Sequence, residues 1–254
     1  MIYDKLPVAL LTALASERQG STNATIARYL IAHGSELGDA SVKGIARACN
    51  VGVASVSRFC RDVGFTSFDE LRGALTATSR SFEVASTADS LAQRTTDHAE
   101  AVAESLRQVA RSMDGRMLQA LVADLHSYDK VSAFGMLKAQ AAAIDLQVDL
   151  LMLGKQVDTC VAYAEQLDRI ARAGRDELIV IFSYTGDYFS ARDLTDALAR
   201  IDRPRIWIIA GARKPQPDYV YGCLAFDSSL SQLGHPFQLE MAEALIAQEY
   251  ARSA

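Results

Sequence analysis

The chain has 254 residues, half of them hydrophobic and 22% charged, with a net charge of −5. That length supports one large domain or two modest ones with real cores, and the composition is ordinary for a globular protein. No run of about 18 apolar residues occurs, which argues against a membrane-spanning helix. The acidic total argues at first against a nucleic-acid partner, but the charge is uneven. Residues 1–80 hold 9 Lys/Arg and 7 Asp/Glu, a net +2, while residues 81–254 carry −7. A mildly basic head on an acidic body fits a DNA-reading module attached to something else.

The N-terminal stretch MIYDKLPVALLTALASERQG carries Asp4 and Lys5 and lacks a basic leader region, so it reads as an amphipathic helix and not a signal peptide. Apolar spacing then predicts helices over 4–17, 22–33, 41–48, 53–63 and 68–79. Ser41 suits an N-cap, and Gly64 suits the left-handed end of the fourth helix. Residues 79–90, SRSFEVASTADS, lose the periodicity and read as a linker. From Asp89 the pattern changes. Helices are expected over 90–112 and 114–126. Short apolar runs then alternate with helices near 138–153, 161–173, 187–200 and 233–252. The runs are KVSAFG (130–135), KQVDTC (155–160), ELIVIFS (177–183), RIWIIAG (205–211) and GCLAFD (222–227). This alternation predicts a parallel sheet covered on both faces, with ligands at the carboxyl ends of its strands. The loops 135–139, 183–188 and 211–221 fall there. Cys49, Cys60, Cys160 and Cys223 form no CxxC pair and read as reduced thiols of a cytoplasmic protein.

Residues 41–64, SVKGIARACNVGVASVSRFCRDVG, carry the sharpest signal. A packed helix pair needs apolar residues where Ile45, Cys49, Val51, Val56 and Phe59 fall. It needs a small residue at the crossing, supplied by Ala46, and a turn residue tolerant of positive φ, supplied by Asn50. The result is a helix-turn-helix whose second helix enters the major groove. Val53, Ala54, Ser57, Arg58 and Arg61 face outward. Arg58 is the candidate for a bidentate guanine contact, and Val53 and Ala54 suit thymine methyl groups. Ser55, Ser57 and Arg61 suit phosphates, which position without specifying sequence.

The segment VKGIARACNVGVASVSRFCRDVGFTSFDELRGAL resembles the DNA-binding domain of the RpiR/MurR bacterial transcriptional regulators, above all through ASVSRFC and the GFTSF tail. The resemblance implies an all-α domain over 1–80, a linker and connecting helix over 81–112, and an α/β SIS (sugar isomerase) domain over 113–254. It also implies a double-stranded operator, a phosphosugar or other acidic effector, and a homo-oligomer, dimer or tetramer. The dimer seam is expected on helices 90–112 and 233–252.

Set against the SIS pattern, the sensor half is partly rewritten. The first loop, usually GxGxS, reads Gly135-Met136-Leu137-Lys138-Ala139. The second, usually SxSGxT, reads Ser183-Tyr184-Thr185-Gly186-Asp187-Tyr188, and the third carries Arg213 and Lys214. Either Lys138, Ser183, Tyr184, Thr185, Gly186, Tyr188 and Arg213 hold an anionic ligand, or Met136, Leu137 and Tyr188 fill the pocket and the domain only dimerises. A third possibility is an isomerase, whose base would be Glu240, Glu243 or His235. Glu240 and Glu243 have the spacing of a solvated helix face. No nucleophile elbow or metal-ligand cluster is visible, so the expectation is a regulator without enzymatic activity, metal or cofactor.

Overall fold

Helix caps and apolar spacing set the first third of the chain, as seen in a computed structural model that describes residues 10–11, 13–15, 17–18, 20–34, 37–38, 40–77, 83–191 and 194–253. Helix α1 (Thr22–His33) starts where Ser21 Oγ accepts from Ala24 N. Helix α2 (Val42–Ala48) starts where Ser41 Oγ accepts from Gly44 N at 3.1 Å. Helix α3 (Val53–Asp62) starts at Gly52 without a side-chain cap. Helix α4 (Phe68–Ala77) has a reciprocal start. There Ser67 Oγ accepts from Glu70 N at 3.2 Å, and the Glu70 carboxylate accepts from Thr66 N at 2.7 Å. Each cap satisfies amides that have no partner inside the helix. The expected helix over 4–17 falls mostly outside the described residues; positions 10–11 and 13–15 are helical.

These helices close on a core that includes Ile26, Leu30, Ile45, Ala46, Val56, Phe59, Cys60 and Leu71. Phe59 and Leu71 are fully buried. Asn50 takes φ 52° and Gly64 φ 85°, both in the left-handed region expected of them. Burial raises the Cys49 thiol and pushes Cys60 up to about 11, so both behave as apolar core groups.

The chain divides into two compact units. One comprises residues 1–81 with 161–165 and 189–192; the other comprises residues 82–160, 166–188 and 193–254. The second unit opens with helix α5 (Leu91–Ser112) and helix α6 (Gly115–Ser127). Strand β1 (Lys130–Gly135) leads into helix α7 (Lys138–Met152) and helix α8 (Tyr163–Arg172). Strand β2 (Glu177–Phe182), the one-turn helix α9 (Thr195–Leu198), strands β3 (Arg205–Ala210) and β4 (Gly222–Ala225), and helix α10 (Phe237–Arg252) follow. The strands are parallel in the order β1-β2-β3-β4. Five of the six residues in both β2 and β3 are buried, so both faces of the sheet centre are covered.

Two expected elements differ. The run 155–160 forms an isolated parallel bridge, Ser132 to Asp158, and not a strand. Ala133 N donates to Asp158 O and Asp158 N to Val131 O, but the next carbonyl, Ala133 O, takes the Thr159 hydroxyl at 2.7 Å. The helix expected over 187–200 is broken into a 3-10 turn, Tyr188–Ala191, and α9.

The bridge decides where a ligand fits. It places residues 157–159 on the outer side of β1, so the chain moves outward from β1 and then crosses back to β2. Strand order therefore reverses between β1 and β2, and in such sheets the crevice lies at the carboxyl ends of that pair. Helix α7 packs on β1 and β2, and α10 packs on α5, α6, α7 and β3.

Candidate functional site

The head presents one clean face. Val56, Phe59 and Cys60 of α3 are buried. Val53 is 46% exposed, and Ala54, Arg58 and Arg61 are exposed, with Ser55 and Ser57 half-buried. No acidic residue sits in the first turn of α3, so nothing opposes a phosphate at that end. Helix α2 adds two exposed cations, Lys43 and Arg47, which the sequence reading passed over.

In the second unit, the loop after β1 keeps the backbone of a glycine-rich turn without its second glycine. Gly135 is required, since a Cβ there would lie 2.6 Å from Ala139 O. Leu137 takes φ 54°, ψ −118°, a conformation that only glycine adopts easily. The amides of Ala139 and Gln140 donate to Met136 O and Leu137 O, so they close the turn. Behind it lies a buried amide cluster. Gly135 N donates to Gln140 Oε1 at 3.1 Å, Gln166 Nε2 to Gly135 O at 2.9 Å, and Tyr188 OH to Gln166 Oε1 at 2.7 Å. Tyr188 is fully buried in this cluster and faces no solvent, so it is a brace for the loops and not a ligand contact.

The second loop turns tightly. Gly186 (φ 76°) donates its amide to Ser183 O and accepts Gln216 Nε2 at 3.2 Å. Ser183 is buried, and Thr185 is half-buried with Oγ1 accepting from Asp187 N at 3.4 Å. Tyr184 is buried too. Its ring stacks on His235 with centroids 4.3 Å apart, and its hydroxyl donates to Gln238 Oε1 at 2.7 Å. Arg213 turns away from these loops: it pairs with Asp227 at 3.4 Å and donates to Ser112 O at the end of α5. Lys214 pairs with Asp187.

A cavity of about 410 Å³ opens where α7 and α10 begin. Lys138 and His235 line it with Arg94, His98, the segment Glu83–Ser86, and Gln232–Phe237 except Gly234. Lys138 Nζ donates to His235 O at 3.3 Å. Burial, then the Lys138 charge, pushes the His235 imidazole down to about 3, so it is neutral at physiological pH. Of the predicted ligand residues, Lys138 lines the cavity, and Tyr184 reaches its wall through His235. Ser183, Thr185, Gly186 and Arg213 do not line it. Arg94, His98, Glu83 and Gln232 do, and their scattered positions left no motif to find.

Glu243 corrects the reading of a solvated helix face: it is 3% exposed. Burial and the charges of Asp149, Asp145 and Glu240 push its carboxyl up to about 8. Glu240 is half-buried and also rises to about 8, through desolvation and a hydrogen bond with Asp145. Among the described residues no cluster of His, Cys, Asp and Glu is arranged to hold a metal ion, and no helix is long and apolar enough to cross a membrane.

Residues 8–81 match the helix-turn-helix domain of the rpiR family. No curated protein matches the chain. Among solved structures, the chain is similar to the Vibrio vulnificus NanR protein complexed with ManNAc-6P. That match has 18% identity and a TM-score of 0.53, over 98% of this chain and 90% of that one. The c3406 protein of E. coli CFT073, solved as a complex, is similar at 13% identity and a TM-score of 0.52, over 64% of this chain and 90% of that one. At these identities the likeness establishes the fold, a helical head followed by a SIS-like domain.

Proposed function

We propose that this chain, whose residues 8–81 match the helix-turn-helix domain of the rpiR family and whose second unit has a SIS-like fold, is a DNA-binding transcriptional regulator that answers to a small acidic sugar derivative. The observation that carries the DNA half is the split face of α3, with Arg58 and Arg61 outward and Phe59 inward. Arg58 reads a guanine edge, while Val53 and Ala54 meet thymine methyls. Ser55, Ser57, Arg61, Lys43 and Arg47 hold phosphates.

Arg58→Ala is expected to cost about 1–3 kcal/mol of operator affinity and to relax base preference at one position. Arg61→Ala should weaken binding evenly across sequences and lower the salt slope by about 1. Operator titrations across sequence variants and salt concentrations check both. An unchanged affinity for the Arg58 variant sinks the base contact.

For the effector half, Lys138 is the cation at the start of α7, in the cavity that Arg94 and His235 also line. The neighbour named with ManNAc-6P supports a phosphorylated sugar as ligand. Calorimetry with that compound, other sugar phosphates and a panel of sugar acids tests this, and Lys138→Ala should weaken the best binder about tenfold. Binding by no member leaves the domain a dimerisation module. Turnover is not part of this reading: Glu243 lies buried against α7's acids and the His235 ring is held against Tyr184.

A single helix-turn-helix covers little DNA, so a dimer on two half-sites in the cytoplasm is the working form. Helix α10 spends most of its apolar face inside the second unit, burying Leu239, Ala242, Ile246 and Ala247. Helix α7 instead leaves Ile144, Val148, Leu151 and Met152 exposed, at spacings that form one stripe. The seam therefore fits α7 better than α10.

A further inference from the structure

The wall of the Lys138 cavity is made partly of the chain that leads to the DNA-reading head. Glu83, Val84, Ala85 and Ser86 line it, and only residues 78–82 separate Glu83 from the end of α4. This segment is held by a two-way clamp. Glu83 N donates to Gln232 Oε1 at 3.1 Å, and Gln232 N donates to Glu83 Oε2 at 2.7 Å. Gln232 sits in the turn that leads to α10 and lines the same cavity.

The lining has a definite chemistry. Among the described residues, Lys138 and Arg94 pair with no carboxylate, and Glu83 is the one acid in the lining, so the cavity wall carries a net positive charge. Arg94 instead donates to the linker carbonyls Ala88 O and Asp89 O, each at 2.7 Å. Leu233, Pro236 and Phe237 supply an apolar side. Such a lining accepts an acid group on the cations and a less polar body on the opposite wall.

We propose that this cavity takes a small anion, and that the anion is read by the linker through the Glu83–Gln232 clamp. The proposal rests on the effector reading above and adds the route by which occupancy reaches the head. Among the described residues, the Glu83 carboxylate is the one anion already in the lining. An incoming acid group drawn to Lys138 and Arg94 repels the Glu83 carboxylate, which favours opening of the clamp. A ligand shifts the head only by its different affinity for the clamped and open states, and the clamp supplies those two states.

The test uses the full chain and needs no known effector. In Glu83→Cys/Gln232→Cys, oxidation locks the linker and reduction frees it. Operator affinity is expected to differ by roughly fivefold or more between the two forms, and equal affinities overturn the clamp. Glu83→Gln, which keeps the shape and removes the charge, guards against a folding defect. It should shift operator affinity in the same direction as the reduced form. For the ligand class, inorganic phosphate and acetate are the probes, read by hydrogen exchange at residues 83–86. Faster exchange with either, lost in Lys138→Ala/Arg94→Ala, supports the anion assignment and tells phosphate from carboxylate; no change with both overturns it. If the locked and freed forms differ but no sugar phosphate binds, the effector reading fails and the clamp stands. If a sugar phosphate shifts operator affinity equally in wild type and Glu83→Gln, the clamp fails and the effector reading stands.

Discussion

Replacing Asp124 with alanine is expected to destabilise the second unit by about 2–4 kcal/mol. Asp124 lies on α6, is 8% exposed, and holds two groups of β3. Its Oδ1 accepts from Arg205 Nη1 at 2.6 Å and its Oδ2 from Trp207 Nε1 at 2.8 Å. Truncation leaves the buried indole N–H without its acceptor, at about 1–3 kcal/mol. It also strips the carboxylate from a partly exposed guanidinium, which keeps the rings of Tyr221, 4.1 Å away, and Tyr128. Asp124→Asn preserves volume and one acceptor, so its loss should be about half as large. Trp207 is the single tryptophan of the chain, so its fluorescence follows the second unit alone during denaturant unfolding. A loss under about 1 kcal/mol for the alanine variant would falsify the assignment of this triad as the tie between α6 and the sheet.

Asp124 also shows where sequence reading stops. Helix bounds such as Thr22–His33 and strands such as Lys130–Gly135 were legible, because periodicity, caps and turn residues act over a few positions. The left-handed turn at Asn50 was legible for the same reason. Asp124, by contrast, looks like any acid on a helix until Arg205 and Trp207 arrive 81 and 83 positions later. The cavity is harder still: Glu83, Arg94, Lys138 and His235 meet from four stretches with no shared spacing. The run 155–160 had a strand's composition, but the Thr159 hydroxyl takes Ala133 O, where a continuing ladder would use the Cys160 amide, and the ladder ends after one bridge. Tyr188 stands where the SxSGxT pattern has its threonine. A tyrosine at that site is long enough to reach Gln166 in the interior, and it does.

Glu243→Gln is expected to stabilise the second unit by about 2 kcal/mol at pH 7.5, the opposite of the usual effect of changing a buried residue. The folded carboxyl keeps its proton up to about 8 because it is desolvated against α7 and faces Asp145 and Asp149 there and Glu240 on its own helix. In the unfolded chain the proton leaves near 4.5. Between those values the folded state binds more protons, so stability falls as pH rises from 4.5 to 8. At 1.36 kcal/mol per unit, a shift of this size would cost roughly 4 kcal/mol at pH 7.5 for an isolated site. Rearrangement of the neighbouring carboxylates and water relieves about half. Glutamine removes the cost, and its amide N–H groups can donate to the aspartates. His235 has the opposite sign: its folded value near 3 makes stability rise as pH increases from 3 to 6.5. That contribution levels off above 6.5 and is common to wild type and variant, so from pH 6.5 to 8 the difference between the two isolates the carboxylate. Unfolding free energies there should fall with pH in wild type and fall less steeply in Glu243→Gln. Equal slopes would mean that the Glu243 carboxyl does not carry the proton, and that its burial is compensated by contacts other than protonation.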